Sequence, residues 1–102
     1  MIMRITGGKL RPGKWDEYEQ TYRSAVVAKS RDIKGLRDRW LVQDTADKDA
    51  GFAVSLWDSL EDMRAYEQST FYQQEILTPL QPFFVGDFKT NVCEVKYVQG
   101  AR

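Results

Sequence analysis

The segment S-L-W-D-S-L-E-D-M-R-A-Y-E-Q-S, residues 55–69, carries the chain from a strand into a helix within a few residues. Its start completes a run over 51–57 in which Phe52, Val54 and Leu56 alternate with Ala53, Ser55 and Trp57. Successive strand side chains point to opposite faces, so this strand is apolar on both and is expected to be covered on both. The period changes at Asp58 and Ser59. Ser59 is placed to cap the backbone amide of Asp62, while Glu61 and Asp62 complement the positive end of a helix dipole. Leu60, Met63 and Tyr66 then follow at helical spacing, which predicts a helix over 59–68 that presents Tyr66.

Downstream, 70–84 reads as a further helical piece over 71–78, because Pro79 and Pro82 forbid a continuous helix. Residues 86–98 alternate as a final strand, with Cys93, Val95 and Tyr97 on one face. Upstream, 36–44 reads as a strand with Leu36, Asp38, Trp40 and Val42 on one face and Arg37, Arg39, Leu41 and Gln43 on the other. The polar stretch 44–51 has the chemistry of a hairpin connection. Trp15, Tyr18, Tyr22, Ala25 and Val26 recur at spacings of three and four and predict a helix over 13–31, opened by Pro12-Gly13. Residues 2–10 read as a first strand. Within it, Gly7-Gly8 mark an irregular strand end, a bulge, or a close approach by a ligand or another backbone.

The order strand, helix, strand, strand, helix, strand is the split β-α-β pattern of α+β ferredoxin-like folds, a four-stranded antiparallel sheet with helices on one face. The whole chain, 1–102, is read as a single domain. Such a sheet leaves its other face bare, and strand 51–57 is apolar there too. A second copy of the sheet covers that face economically, so a homodimer is expected.

Composition narrows the partners. The 15 basic and 15 acidic residues balance, so no nucleic acid or anionic membrane surface is indicated. No apolar run approaches the ~20 residues needed to cross a bilayer. No charged region followed by an apolar stretch opens the sequence, so no signal peptide is expected. Cys93 is the lone cysteine and cannot make an internal disulfide, which suits a reducing, cytoplasmic setting. The chain has no histidine. That excludes Ser-His-Asp hydrolysis, Cys-His nucleophilic catalysis and the common zinc sites. No glycine-rich nucleotide fingerprint is present either.

Three segments together resemble the antibiotic biosynthesis monooxygenase family of dimeric α/β barrels: K-L-R-P-G-K-W-D-E-Y at 9–18, Gly35 with the strand 36–44, and L-W-D-S-L-E-D-M-R-A-Y-E-Q-S-T-F-Y at 56–72. The resemblance implies two sheets joined into a closed barrel, with a small cavity between sheet and helices in each subunit. It also implies activities that range over cofactor-free monooxygenases of phenols and quinols, haem-degrading enzymes and isomerase-type members. Where many relatives carry histidine in the helix after the strand-end tryptophan, this chain has Tyr66. The axial histidine of haem-degrading members falls near Ile76. Histidine-ligated haem is therefore excluded, and no cofactor or metal is expected.

The candidate site follows from these positions. Ala53 and Ser55 are small beside Trp57, which would leave a flat pocket wall for an aromatic ligand. Tyr66 is the candidate catalytic residue, its hydroxyl placed to bond a substrate oxygen; Asn91 or Thr90 could do the same from the last strand. Arg37 and Arg39 share a strand face and form either a phenolate clamp or rim salt bridges. Trp57 and Tyr66 also suit plain core packing, and Cys93 is expected to be buried and inert. The leading functional expectation is a cofactor-independent monooxygenase on a small aromatic or quinol-type compound. The alternatives are a non-catalytic small-molecule-binding or stress-response barrel, and an isomerase or lyase on a small carbonyl compound.

Overall fold

The alternating runs form four strands: β1, Ile2–Lys9; β2, Leu36–Gln43; β3, Ala50–Trp57; and β4, Lys89–Glu94. They are seen in a computed structural model that describes residues 1–29 and 32–100. All neighbours are antiparallel in the order β2-β3-β1-β4, the ferredoxin-like arrangement. The central pair runs in unbroken register from Ile2 opposite Trp57 to Lys9 opposite Ala50. Gly7 and Gly8 therefore make no bulge. Their missing side chains admit rings instead: a Cβ on Gly7 would stand 2.7 Å from the Phe52 ring, and one on Gly8 3.0 Å from Phe84.

The first helix, α1, spans Trp15–Tyr22 and continues as a π-helical turn over Arg23–Val27, marked by the Ala28 amide donating to the Arg23 carbonyl at 3.0 Å. It starts later than 13 because Gly13 sits at φ +74°, outside the helical region, with its amide held by Asp49. Residues 30 and 31, the end of the expected helix, lie outside the described residues. The second helix, α2, spans Leu60–Gln68, and Ser59 Oγ accepts from the Asp62 amide at 3.1 Å. Ser69 ends it in an extended conformation, and its hydroxyl bridges the Tyr66 carbonyl and the Tyr72 amide. A π-helical segment Phe71–Leu77, a short helix α3 over Thr78–Leu80 and a 3-10 turn Gln81–Phe83 complete the layer. Helical turns thus run past residue 78. Each proline falls in the first turn of a new piece, where no amide is needed.

Two further boundaries differ from the alternation. β4 ends at Glu94, not 98, because β1 begins at Ile2, directly opposite Glu94; Val95 makes the last bond, to the Met1 carbonyl. At its start, Gly86 turns the chain at φ +70° before pairing begins at Lys89. In β2, a register shift between Leu36 and Asp38 makes Arg37 a bulge. Leu36 thereby moves to the side of Arg39 and Leu41, opposite Trp57, whereas Arg37 swings out to an exposed ion pair with Asp58.

The core lies between helices and sheet. Trp57 is fully buried and belongs to one continuous core with Trp15, Tyr18, Tyr22, Val26, Met63, Tyr66, Ile76 and Leu80. Burying one such indole removes about 200 Å² from water, worth about 5 kcal/mol. Among the described residues, nothing covers the other face of the sheet. Phe52 is 47% exposed, Val42 43% and Trp40 38%. Cys93, paired with Met3 on that same face, is exposed and not buried as its sequence context suggested. No helix among the described residues is long and apolar enough to cross a membrane.

Trp15 seats its indole over Gly51, which has no side chain to obstruct it. A Cβ at Gly51 would collide with the Val42 carbonyl oxygen and stand 2.9 Å from Trp15 Cη2 and Cζ3. Gly51→Ala is expected to cost about 1–3 kcal/mol by overpacking. Urea denaturation followed by tryptophan fluorescence checks this; an unchanged midpoint contradicts the packing described.

Candidate functional site

The side chains that β1, β2 and β3 turn toward the helices do not fill the space beneath them. Thr6 and Ala53 are small, and a cavity of about 60 Å³ remains above them. That is several times the ~10–15 Å³ that admits one water, so it is more than a packing defect. Arg4 and Arg39 enter from the sheet, Tyr18, Tyr22 and Val26 from α1 and its π-helical extension, and Tyr66 from α2. Tyr72, Ile76, Leu77 and Leu80 close the far side, with Phe84 and Phe88 at one end.

Two arginine–tyrosine pairs give this apolar space its polarity. Arg39 Nη2 donates to Tyr66 Oη at 3.0 Å, and its guanidinium lies 5.3 Å from the centre of the Tyr66 ring. Arg4 Nη2 donates to Tyr72 Oη at 2.9 Å, with its guanidinium 5.2 Å from that ring. The tyrosine rings stand 4.9 Å apart. Their charges are balanced differently. Arg4 is paired with Glu67 at 2.7 Å and also donates to Thr6 Oγ1, which in turn bonds Thr90 Oγ1. Arg39 has no carboxylate within 4.0 Å among the described residues, and no acidic side chain lines the cavity.

Burial sets the protonation of the site. It raises the Tyr66 and Tyr22 hydroxyls above the ordinary value near 10, with Arg39 opposing both rises, and raises Tyr18 with little to oppose it. Burial acts against the Arg4 charge, but Tyr72 and Glu67 outweigh it and leave that guanidinium above its ordinary value. At neutral pH Tyr18, Tyr22 and Tyr66 are therefore neutral hydroxyls. Tyr66 Oη accepts from Arg39, which leaves its own proton for a ligand.

The structure brings together only some of the residues singled out from sequence. Tyr66, Arg39 and Ala53 line the cavity. Trp57 and Ser55 stand behind it: the Trp57 ring packs 5.0 Å from Tyr66, and its Nε1–H donates to Ser55 Oγ at 2.8 Å, occupying that hydroxyl. Asn91 is on the opposite face, exposed and paired with Ile5. The two-arginine clamp does not form, since the bulge sends Arg37 outward. Arg4, Tyr22 and Tyr72 were missed. Arg4 shares a strand face with Ile2 and Thr6, and a charge amid such alternation was the available signal. Tyr22 was indistinguishable from its neighbours in a helical apolar stripe.

Comparison with known proteins agrees with this architecture. The family model for antibiotic biosynthesis monooxygenase matches residues 1–75. No curated protein matches the sequence. Several solved structures share the fold. A candidate antibiotic biosynthesis monooxygenase from Bordetella bronchiseptica superposes with a TM-score of 0.81 at 18% identity, over 95% of this chain and 97% of that one. SnoaB, a cofactor-independent oxygenase from Streptomyces nogalater, gives 0.80 at 11% identity over 95% and 94%. A conserved protein from Methanosarcina mazei gives 0.79 at 16% over 93% and 92%. At these identities the likeness is one of fold.

The buried tyrosines make stability fall in alkali. Above about pH 10 the unfolded chain loses phenolic protons that the folded state retains, so the unfolded state binds fewer protons and each further pH unit costs up to about 1.4 kcal/mol per tyrosine. The stabilisation is present in full below about pH 10 and declines above it. Urea midpoints measured across that range check this, and Tyr18→Phe is expected to give a shallower decline.

Proposed function

This chain belongs to the antibiotic biosynthesis monooxygenase family, and on that premise we propose that it is a cofactor-independent monooxygenase acting on a small aromatic or quinol-type compound. The observation that carries this reading is the Arg39–Tyr66 pair, a guanidinium with no carboxylate partner among the described residues, set in an aromatic cavity. An electron-rich phenol bound there has its developing phenolate stabilised by a fixed, half-buried cation. The ionised substrate then reacts with oxygen directly. Two C–H bonds of a methylene are lost, one oxygen atom is kept as a carbonyl, and the other leaves as water, so the substrate supplies all the electrons. The fold shared with SnoaB, described as a cofactor-independent oxygenase, supports the reading.

A second reading is a small-molecule-binding barrel without catalysis. It is favoured by the lining, which holds no carboxylate to take the substrate proton, in a chain without imidazole. Oxygen uptake separates the two. With a panel of quinols and anthrone-type phenols, the wild type is expected to consume oxygen, and Tyr66→Phe to lower kcat/KM by about 10- to 100-fold. No uptake by the wild type, or undiminished uptake by Tyr66→Phe, overturns the assignment.

The assembly proposed with this site is a homodimer in a reducing cytoplasm, with two sheets meeting through Trp40, Val42, Phe52 and their apolar neighbours. Light scattering at micromolar concentration is expected to give twice the 11.9 kDa of the chain. A monomeric mass refutes the closed barrel.

A further inference from the structure

Two polar atoms in the cavity are shut off from solvent and have no hydrogen-bond partner among the described residues: Tyr22 Oη and Arg39 Nε. Tyr22 as a whole is only 5% exposed, and both residues line the cavity. Leaving a buried polar atom unpaired is costly, so each such atom calls for a partner. The two face each other: the Arg39 guanidinium lies close enough to the Tyr22 hydroxyl to oppose its rise in pKa by charge and by hydrogen bonding, yet neither Tyr22 Oη nor Arg39 Nε completes a bond of good geometry. Both are donors. Tyr66, the next polar group, already accepts from Arg39 and has only a proton left to give.

The charge balance points the same way. Arg4 is neutralised by Glu67, while Arg39 has no carboxylate partner among the described residues, so one positive charge faces a lining that is otherwise aromatic, aliphatic or hydroxylic. A ligand complementary to this space is small, flat and apolar, with an acceptor carrying one negative charge at one edge.

We propose that the cavity is a receptor for a small aromatic monoanion, whose charged oxygen is held between Arg39 Nε and Tyr22 Oη. This deepens the oxygenase reading by specifying that the substrate is bound as its anion, a carboxylate, acidic phenol or enolate. It makes Tyr22 a specificity-determining residue. It rests on that reading only in taking this cavity as the site.

Benzoate and benzamide share ring and shape and differ in charge, so they serve as the probes. Titrations of the full chain, followed by proton–nitrogen correlation spectra, report both affinity and the Arg39 side-chain Nε–H signal. Benzoate is expected to bind about 10- to 100-fold tighter than benzamide and to shift that signal. Tyr22→Phe is expected to weaken benzoate about 3- to 10-fold while leaving benzamide nearly unchanged. Arg39→Met is expected to abolish the preference. Equal affinity for the two probes, binding of neither, or a preference for benzoate surviving in Arg39→Met overturns the proposal, and the first two need no variant to fold. Absent oxygen uptake with the preference intact removes the oxygenase reading alone; uptake with equal binding of the probes removes the anion receptor alone.

Discussion

A buried indole has one polar atom to satisfy, and the way Trp57 satisfies it organises this molecule. Its Nε1–H donates to Ser55 Oγ, two residues back on the same strand face, so the whole ring sits against the sheet with no exposed surface. That strand lies in the middle of the ladder, and both its neighbours are keyed to this residue, with Ile2 on one side and Leu36 on the other. α2 must then cross above a large flat surface, and it does so by laying Tyr66 on the indole. The position of Tyr66 fixes where Arg39 can donate, and Tyr72 stacks beyond. The aromatic chain from core to cavity follows from one hydrogen bond inside β3.

The cavity results from unequal side-chain sizes across one sheet face. Toward the end of β3, Trp57 fills the space under the helices; further back, Ala53 and Thr6 cannot. Two cations occupy the gap, and their different partners give it a direction. Arg4 is tied to Glu67, Thr6 and Tyr72, and acts as a structural clasp between β1 and the helical layer. Arg39 spends one nitrogen on Tyr66 and leaves another unbonded. A half-buried cation without a counter-charge is costly to keep, and that cost is reasonable where an anion or a developing negative charge completes the pair.

Much of the scaffold was legible in the chain. Strand alternation around Trp57 and the Ser59 cap located β3 and α2, because both depend on residues within one turn or one pleat of each other. The bulge at Arg37 was not legible. It moves Leu36 under the helices and turns Arg37 to solvent, and only the ladder with β3 requires the extra residue. The end of β4 was hidden for a related reason: alternation continues to residue 98, but β1 has no residue left to pair with it. Asn91 and Arg39 illustrate the site. Both lie on strands, yet one slip of register places a side chain on the opposite face, and Asn91 falls on the open one.

The sequence by itself determined the order of elements, the apolar nature of both faces of β3, and the loss of every mechanism that needs imidazole. Periodicity, capping and composition are local or additive properties, readable without partners. The tertiary structure alone decided which arginine meets which tyrosine, that Ser55 serves Trp57 and not a ligand, and that Tyr22 and Arg39 present unbonded polar atoms to one small space. Those facts depend on contacts between residues tens of positions apart. A hydroxyl on a helix stripe and a guanidinium on a strand acquire their chemistry only when packing removes water from both.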